Sequence, residues 1–316
     1  MADHPAYPCK VVTPGGVVKV EVEAADLNFA DILQCQGSYQ VPRTPPFIPG
    51  LSAVGRVTEI GDGVEDGRFV VGQRVIGMTE GNDGGFAEEA LLRATDATLL
   101  DADVDPIKAA AAHVTYSTAW FALHQRGRIQ PGQTVLVLAA AGGVGSAAVE
   151  LAKLADCWVI AAAGSSKQTV CAELGADVVL DYDDEGFYER VMSLTDGRGV
   201  DVVYDPVGGR YFDVARRLVA WEGQILVIGF ASGDIPSAPL NHVLVKNYAV
   251  VGVHMGGYWQ RDTRPFGACH EAVYGWLAAD RIHPLIDRVV GFSGLPEALR
   301  DLAERRSIGR LVFAPD

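Results

Sequence analysis

The sequence predicts an α/β chain in which a doubly wound parallel sheet follows a β-rich unit. Three observations predict it. From about residue 134, short apolar runs alternate with helical segments, the pattern of parallel strands covered on both faces. A glycine-rich turn, AAGGVG (140–145), directly follows the first of these runs and directly opens a helix. The first 110 residues, by contrast, read as alternating or glycine-punctuated β-runs.

Taken in order, VVKVEVEA (17–24) alternates and predicts a half-exposed strand, and RVTEIGDGVEDGRFVVGQRVIGM (56–78) predicts short strands joined by glycine turns. TVLVLA (134–139) predicts a buried strand and GVGSAAVELAKLA (143–155) a helix. WVIAAA (158–163) is the next strand, and SKQTVCAELG (166–175) a helix closed by Gly175. The alternation continues through strand DVVLDY (177–182), helix DEGFYERVMSLT (184–195), strand DVVYD (201–205) and helix YFDVARRLVAW (211–221). Strands QILVIGF (224–230) and YAVVGVH (248–254) complete the sheet. Two helices follow, FGACHEAVYGWLAADR (266–281) and LPEALRDLAERR (295–306), and then a strand, GRLVFA (309–314). No βα partner is evident near that last strand, so it is expected to return to the N-terminal unit. The domain expectation is therefore 1–110 with 256–316 for the β-rich unit and 111–255 for the parallel sheet.

Composition narrows the function classes. The chain has 316 residues, 49% of them hydrophobic, and a net charge of -14. Nucleic-acid binding is not expected, because it needs a basic face to displace counterions. No apolar run has the length of a membrane span, and MADHPAYPCK lacks the layout of a signal peptide, so the expectation is a cytoplasmic protein with no membrane partner. The five cysteines (Cys9, Cys35, Cys157, Cys171, Cys269) show no paired spacing and are expected as free thiols.

The glycine turn carries the chemistry. A dinucleotide pyrophosphate needs a tight strand-to-helix turn, bare backbone near its oxygens and helix N-terminal amides facing the charge. In AAGGVG, Ala140 takes the first glycine position, Gly142 admits the phosphates and Gly145 lets the helix pack on the strand. The amides of Ala141, Gly142, Gly143 and Val144 are the expected clasp. An NAD site would end its second strand in Asp or Glu, to bind the ribose 2′-hydroxyl. Here the strand runs into Gly164, Ser165, Ser166 and Lys167. A small residue followed by hydroxyls and an ammonium suits a 2′-phosphate, so the expected cofactor is NADPH, with Lys167 as charge partner.

The chain resembles the zinc-independent quinone oxidoreductase group, zeta-crystallin-like, of the medium-chain dehydrogenases/reductases. The carriers include LNFADILQCQGSY (27–39), PPFIPG (45–50), GGFAEEALL (84–92), VTYSTAWFAL (114–123), AAAGGVGSAAVELAK (139–153), LGADVVLDY (174–182), DVVYDPVGG (201–209), VIGFASG (227–233) and KNYAVVGVHMGGY (246–258). The resemblance implies a Rossmann domain plus a GroES-like catalytic domain. Where zinc-dependent relatives place their ligands, this chain has Asn28, Leu51 and Val114. Asparagine amide, leucine and valine do not hold Zn²⁺, so no catalytic metal is expected. The group usually keeps an acid where Ser52 stands, implying a cleft of different polarity. It also usually has additional β-structure before VVKVEVEA, which leaves an edge of the β-unit open to question.

Without a Lewis acid, alkoxide chemistry is disfavoured and a conjugated acceptor, which delocalises incoming charge, is favoured. The resemblance implies Asn28 near the nicotinamide ribose, Tyr39 lining the acceptor pocket and Thr118 on the nicotinamide side. It implies Tyr182 beside the adenosine phosphate, and Phe230, Ala231 and Val253 as strand-end residues along the cofactor. His254 is expected in the cleft, and Arg310 reaches in from the return strand. Tyr116 is either a donor to the reduced oxygen or a packed aromatic at the domain boundary. His113, in AAAAHVTY, is a weaker candidate; His4, His242 and His283 show no constellation. Asp205 is expected to shape a turn, and Cys157 and Trp158 to pack.

The expected activity is reduction of quinones by hydride transfer from NADPH. Two alternatives stand beside it: reduction of an activated C=C bond in an enone or enoyl thioester, and a low-turnover NADPH-binding protein. A thioester of coenzyme A would call for basic residues at the cleft mouth, where Arg43 is the most evident. A homodimer joined through YAVVGVH is implied by the resemblance.

Overall fold

The computed structural model describes residues 13–38 and 44–316 and contains two sheets. The strands are β1 (Val17–Asp26), β2 (Ser52–Ile60), β3 (Arg74–Met78), β4 (Glu89–Arg93), β5 (Thr98–Leu99), β6 (Thr134–Leu138), β7 (Trp158–Ala162), β8 (Val178–Leu180), β9 (Val200–Asp205), β10 (Val219–Val227), β11 (Ala249–Gly252), β12 (Ile286–Val290) and β13 (Arg310–Phe313). The helices are α1 (Phe29–Cys35), α2 (Pro106–Trp120), α3 (Gly143–Leu154), α4 (Gln168–Glu173), α5 (Phe187–Leu194), α6 (Arg210–Leu218), α7 (Leu240–Lys246), α8 (Tyr258–Arg261), α9 (Arg264–Ala278) and α10 (Leu295–Ala303).

β6 to β11 form a parallel sheet in the order β11-β10-β9-β6-β7-β8. This is the doubly wound arrangement the sequence predicts. The order reverses between β6 and β9, and the crevice at such a switch point, outside the strands' carboxyl ends, is where ligands bind. β6 is buried at every position, as a strand covered on both faces must be.

The second sheet has the order β12-β13-β1-β2-β3-β5, with β4 also paired to β1. β13 returns to β1 in antiparallel register, Ala25 opposite Phe313 and Asp26 opposite Val312. The remainder of that edge of β1 is covered by β4, and its other edge by β2, so β1 is no open edge. β13 also differs from the sequence reading in having a parallel partner, β12, joined to it through α10. β12 is short and lacks a buried residue, which hides it from a reading based on apolar runs.

α2 bridges the two sheets: it packs on α3 and α9 and against β1 and β2. Ala109 to Ala112 are all buried there, and four methyl side chains allow the backbone to approach both neighbours closely. Asp105 caps the helix by accepting from Ile107 N at 2.8 Å, ahead of Pro106 at the first helical position. The helix expected over 211–221 ends instead at Leu218, and Val219 starts β10. β-branched Val219 and the positive φ of 59° at Glu222 mark a strand with an irregular register rather than more helix. Among the described residues no helix is long and apolar enough to cross a membrane, and the four described cysteines are free.

Candidate functional site

The glycine loop sits where the topology demands. Gly142 is the N-cap of α3, with φ -84° and ψ 171°, and its amide donates to Ala139 O at 2.9 Å. A Cβ at Gly145 would lie 2.2 Å from Ala139 O, so only glycine lets α3 start this close to β6. Gly164, after β7, meets nothing within 4 Å of an added Cβ; the space beside it is open. Gly142, Gly143 and Val144 are half-buried at the helix start, where free amides and the helix dipole favour an anion.

The return strand is fastened to this loop. Gly309 N donates to Ala141 O at 3.0 Å, and Gly142 and Gly309 form an isolated parallel bridge. One residue later the Arg310 side chain crosses to the loop: a Cβ on Gly143 would lie 2.7 Å from Arg310 Cδ. Its guanidinium donates to the carboxylate of Asp26 and, at 2.9 Å, to Asn28 Oδ1, while its Nε is buried without a partner. Asn28 Nδ2 in turn donates to Asp26 O at 3.2 Å. Arg310 and Asn28 are thus held as one unit beside the loop.

Ser52 does not leave this region without an acid. Its hydroxyl donates to Asp26 Oδ1 at 2.6 Å, so a carboxylate comes from β1 instead of β2. Asp31 lies just beneath, accepting from Asn28 N at 2.7 Å and Gly50 N at 3.1 Å. Burial pushes its carboxyl up to about 7, against those two backbone hydrogen bonds.

The strand-end residues fall along one edge, as their positions after parallel strands require. Ala141 to Val144 follow β6, Gly164 to Lys167 follow β7, Tyr182 follows β8, Phe230 and Ala231 follow β10, and Val253 follows β11. Lys167 Nζ donates to Ser307 O at 2.9 Å and Arg305 O at 3.2 Å, which uses two of its three N–H groups. Arg305, which sequence reasoning assigned to a helix end, donates to Ala231 O and lies within electrostatic reach of Tyr182. Only the fold brings 305 to this edge. Tyr182 packs edge-on against Tyr211, ring centroids 4.9 Å apart. Thr118 Oγ1 donates to Val114 O at 2.7 Å and approaches Met255 Sδ at 3.7 Å, tying α2 to the segment after β11. Tyr39 lies outside the described residues.

Tyr116 is not at the cleft. It is 1% exposed, and its hydroxyl donates to Glu150, which also accepts from His283 N at 3.0 Å. Burial, then the neighbouring carboxylate, pushes the phenol well above its ordinary value. The packed-aromatic reading fits this geometry, and the donor reading does not. His113 is likewise internal: its Nδ1 and Tyr274 OH are hydrogen-bonded at 2.5 Å, and His270 Nδ1 and Thr98 Oγ1 at 2.8 Å. Burial lowers His113 to about 4 and His270 to about 3. Asp205 accepts from Val207 N and Gly208 N, each at 2.9 Å, and so shapes the turn after β9.

Comparison with known proteins agrees with this architecture. The alcohol dehydrogenase GroES-like domain family matches residues 14–102, and the zinc-binding dehydrogenase family matches residues 143–268. The second match begins beyond Asn28, Leu51 and Val114, so its name says nothing about those positions. The quinone oxidoreductase-like protein 2 of Bos taurus is 38% identical over 309 residues, 96% of this chain and 87% of that protein. A quinone oxidoreductase from Pseudomonas syringae superposes with a TM-score of 0.87 at 30% identity, covering 96% of this chain and 93% of that one. A mycobacterial protein solved in complex with NADPH superposes with a TM-score of 0.88 at 29% identity, over 96% of this chain and 93% of that one. Sheet order, glycine loop, returning last strand and a relative matched along almost its whole length agree: this chain belongs to the quinone oxidoreductase family of medium-chain dehydrogenases/reductases.

Proposed function

We propose that the chain is an NADPH-dependent reductase that reduces quinones by hydride transfer without a metal. The observation that carries this reading is the cradle at the sheet's switch point. Bare backbone at Gly142 and Gly143 opens α3, Gly164 replaces an acid, and Arg310 reaches Gly143 with a buried Nε still to be satisfied. These groups fit a phosphorylated nicotinamide dinucleotide: α3 amides for the pyrophosphate, and Lys167, Ser165, Arg305 and Tyr182 at the 2′-phosphate end.

When bound, the cofactor supplies a hydride, two electrons and one proton; a second proton from solvent completes the hydroquinone. The chain's residues orient and exclude water. Asn28, fixed through its Oδ1 by Arg310, retains one amide N–H for the ribose. Phe230 and Val253 supply apolar walls at the strand ends. Side chains at positions 28, 51 and 114 offer no metal-binding chemistry, which favours an acceptor that stabilises its own charge.

An NADPH-oxidation assay across quinones, enones and enoyl thioesters tests the reading. Turnover of quinones with NADPH favoured over NADH is the expected result; turnover of only the C=C substrates, or tight NADPH binding with no turnover, overturns it.

The homodimer belongs to the same proposal. β11 is an edge strand, and the neighbouring α7 exposes Leu240, Leu244 and Val245 at 77–79%. An unpaired edge beside an apolar face fits a second copy of this chain.

A further inference from the structure

A cleft of about 430 Å³ opens beside the edge strand β11. Gly252, which lines it, is in register with Val227, and Val227 with Asp205, so the cleft lies at the carboxyl end of the dinucleotide sheet. Arg126, His254, Tyr258, Arg261 and Asp262 complete most of its wall. Its size is within the range of small-molecule sites.

The wall is built rather than incidental. Arg126 ends a π-helical turn, Phe121–Arg126, a rare conformation that recurs at functional sites. Its Nε donates to Gly252 O at 3.1 Å, which fixes the guanidinium against the strand end. Arg261 Nη1 donates to Gly257 O at 3.2 Å. A Cβ on Gly257 would lie 2.8 Å from His254 Nδ1 and 3.2 Å from Arg261 Nη1, so the bare glycine lets both side chains close over it. Asp262 is already held by Arg264, at 2.7 Å to Nε and 2.9 Å to Nη2. Among the described residues neither Arg126 nor Arg261 is paired with a carboxylate. Two unneutralised guanidinium groups thus converge on one cleft in a chain of net charge -14.

Planar guanidinium groups bind carboxylate and phosphate through paired hydrogen bonds. Gly252 and His254 flank Val253, the residue beside the nicotinamide in the proposed reaction. We infer that this cleft receives an anionic arm, carboxylate or phosphate, of the acceptor, so that the substrate class is a quinone or conjugated carbonyl carrying such an arm. This rests on the reductase reading above.

A 1,4-benzoquinone with a carboxyalkyl side chain, its methyl ester and the corresponding phosphate ester test it. The wild-type protein is expected to show kcat/KM at least tenfold higher for the two anions than for the methyl ester, with the ratio narrowing as salt rises. Arg126→Gln and Arg261→Gln are each expected to raise KM for the anions about tenfold while kcat changes less than about twofold, the mark of lost ground-state binding. Calorimetry without cofactor gives a second readout: the carboxyalkyl quinone binds the wild type and weakens about tenfold in each variant. If wild type reduces ester and anions equally well, the inference fails and the reductase reading stands. If no quinone is reduced yet the anion binds and the arginine variants weaken it, the reductase reading fails and the cleft remains an anion site. Variants of unchanged melting temperature that bind the anion as wild type does also overturn the inference.

Discussion

Arg310, on the last strand, donates to the carboxylate of Asp26, on the first, with both side chains buried. Removing one member of such a pair strands the other charge in a dry site, at a cost of about 3–5 kcal/mol. Arg310→Met and Asp26→Leu are each expected to destabilise by roughly that amount, and the double variant by much less than the sum. Denaturant unfolding of the four proteins gives the coupling; strictly additive losses would show that the pair is not a unit.

Gly164→Asp is expected to weaken NADPH at least tenfold and to improve NADH, because a carboxylate repels the 2′-phosphate and accepts from the 2′-hydroxyl. A Cβ there meets no neighbour, so the melting temperature stays near that of wild type. Fluorescence titration with both cofactors reads the outcome, and unchanged affinity for NADPH contradicts the placement.

Tyr116→Phe is expected to leave quinone reduction within about threefold, since the hydroxyl is committed to Glu150. Loss of that hydrogen bond in the interior should instead cost about 1–3 kcal/mol of stability. A hundredfold fall in kcat would return Tyr116 to the reaction.

His113 and His270 titrate near 6.5 when unfolded and at about 4 and about 3 when folded, both lowered by burial. The unfolded chain therefore takes up more protons between those limits. Their contribution is fully present above about pH 6.5 and is lost as pH falls towards 4. In a His113→Asn/His270→Asn variant, proton uptake on unfolding near pH 5 should fall by about two, read from the pH dependence of the urea midpoint. No change in that uptake would show that the imidazoles are not held neutral.

Leu244→Glu on the exposed face of α7 is expected to convert a dimer to a monomer without loss of fold. Light scattering at micromolar concentration decides it, and a wild-type monomer removes the proposed assembly.

Local chemistry made much of this legible. Gly142 and Gly145 announce the loop because the backbone itself must be bare there, and β6 to β11 announce themselves because strands covered on both faces are apolar throughout. What depended on long-range contact was hidden. Asp26 and Ser52 are 26 positions apart, and nothing local shows that one carboxylate serves both. Tyr116 looks like a cleft residue until Glu150, one turn inside α3, claims its hydroxyl. Lys167 meets the carbonyls of Arg305 and Ser307 only after the C-terminal segment folds back.

The hydrogen bond from Gly309 to Ala141 has a consequence for biosynthesis. All six parallel strands leave the ribosome well before residue 309, yet the loop that receives the pyrophosphate is not fastened, and Arg310 is not in place, until almost the final codon is read. A protein clipped within its last eight residues would keep a complete sheet and lose its cofactor grip, so dinucleotide binding in this molecule doubles as proof of full-length synthesis.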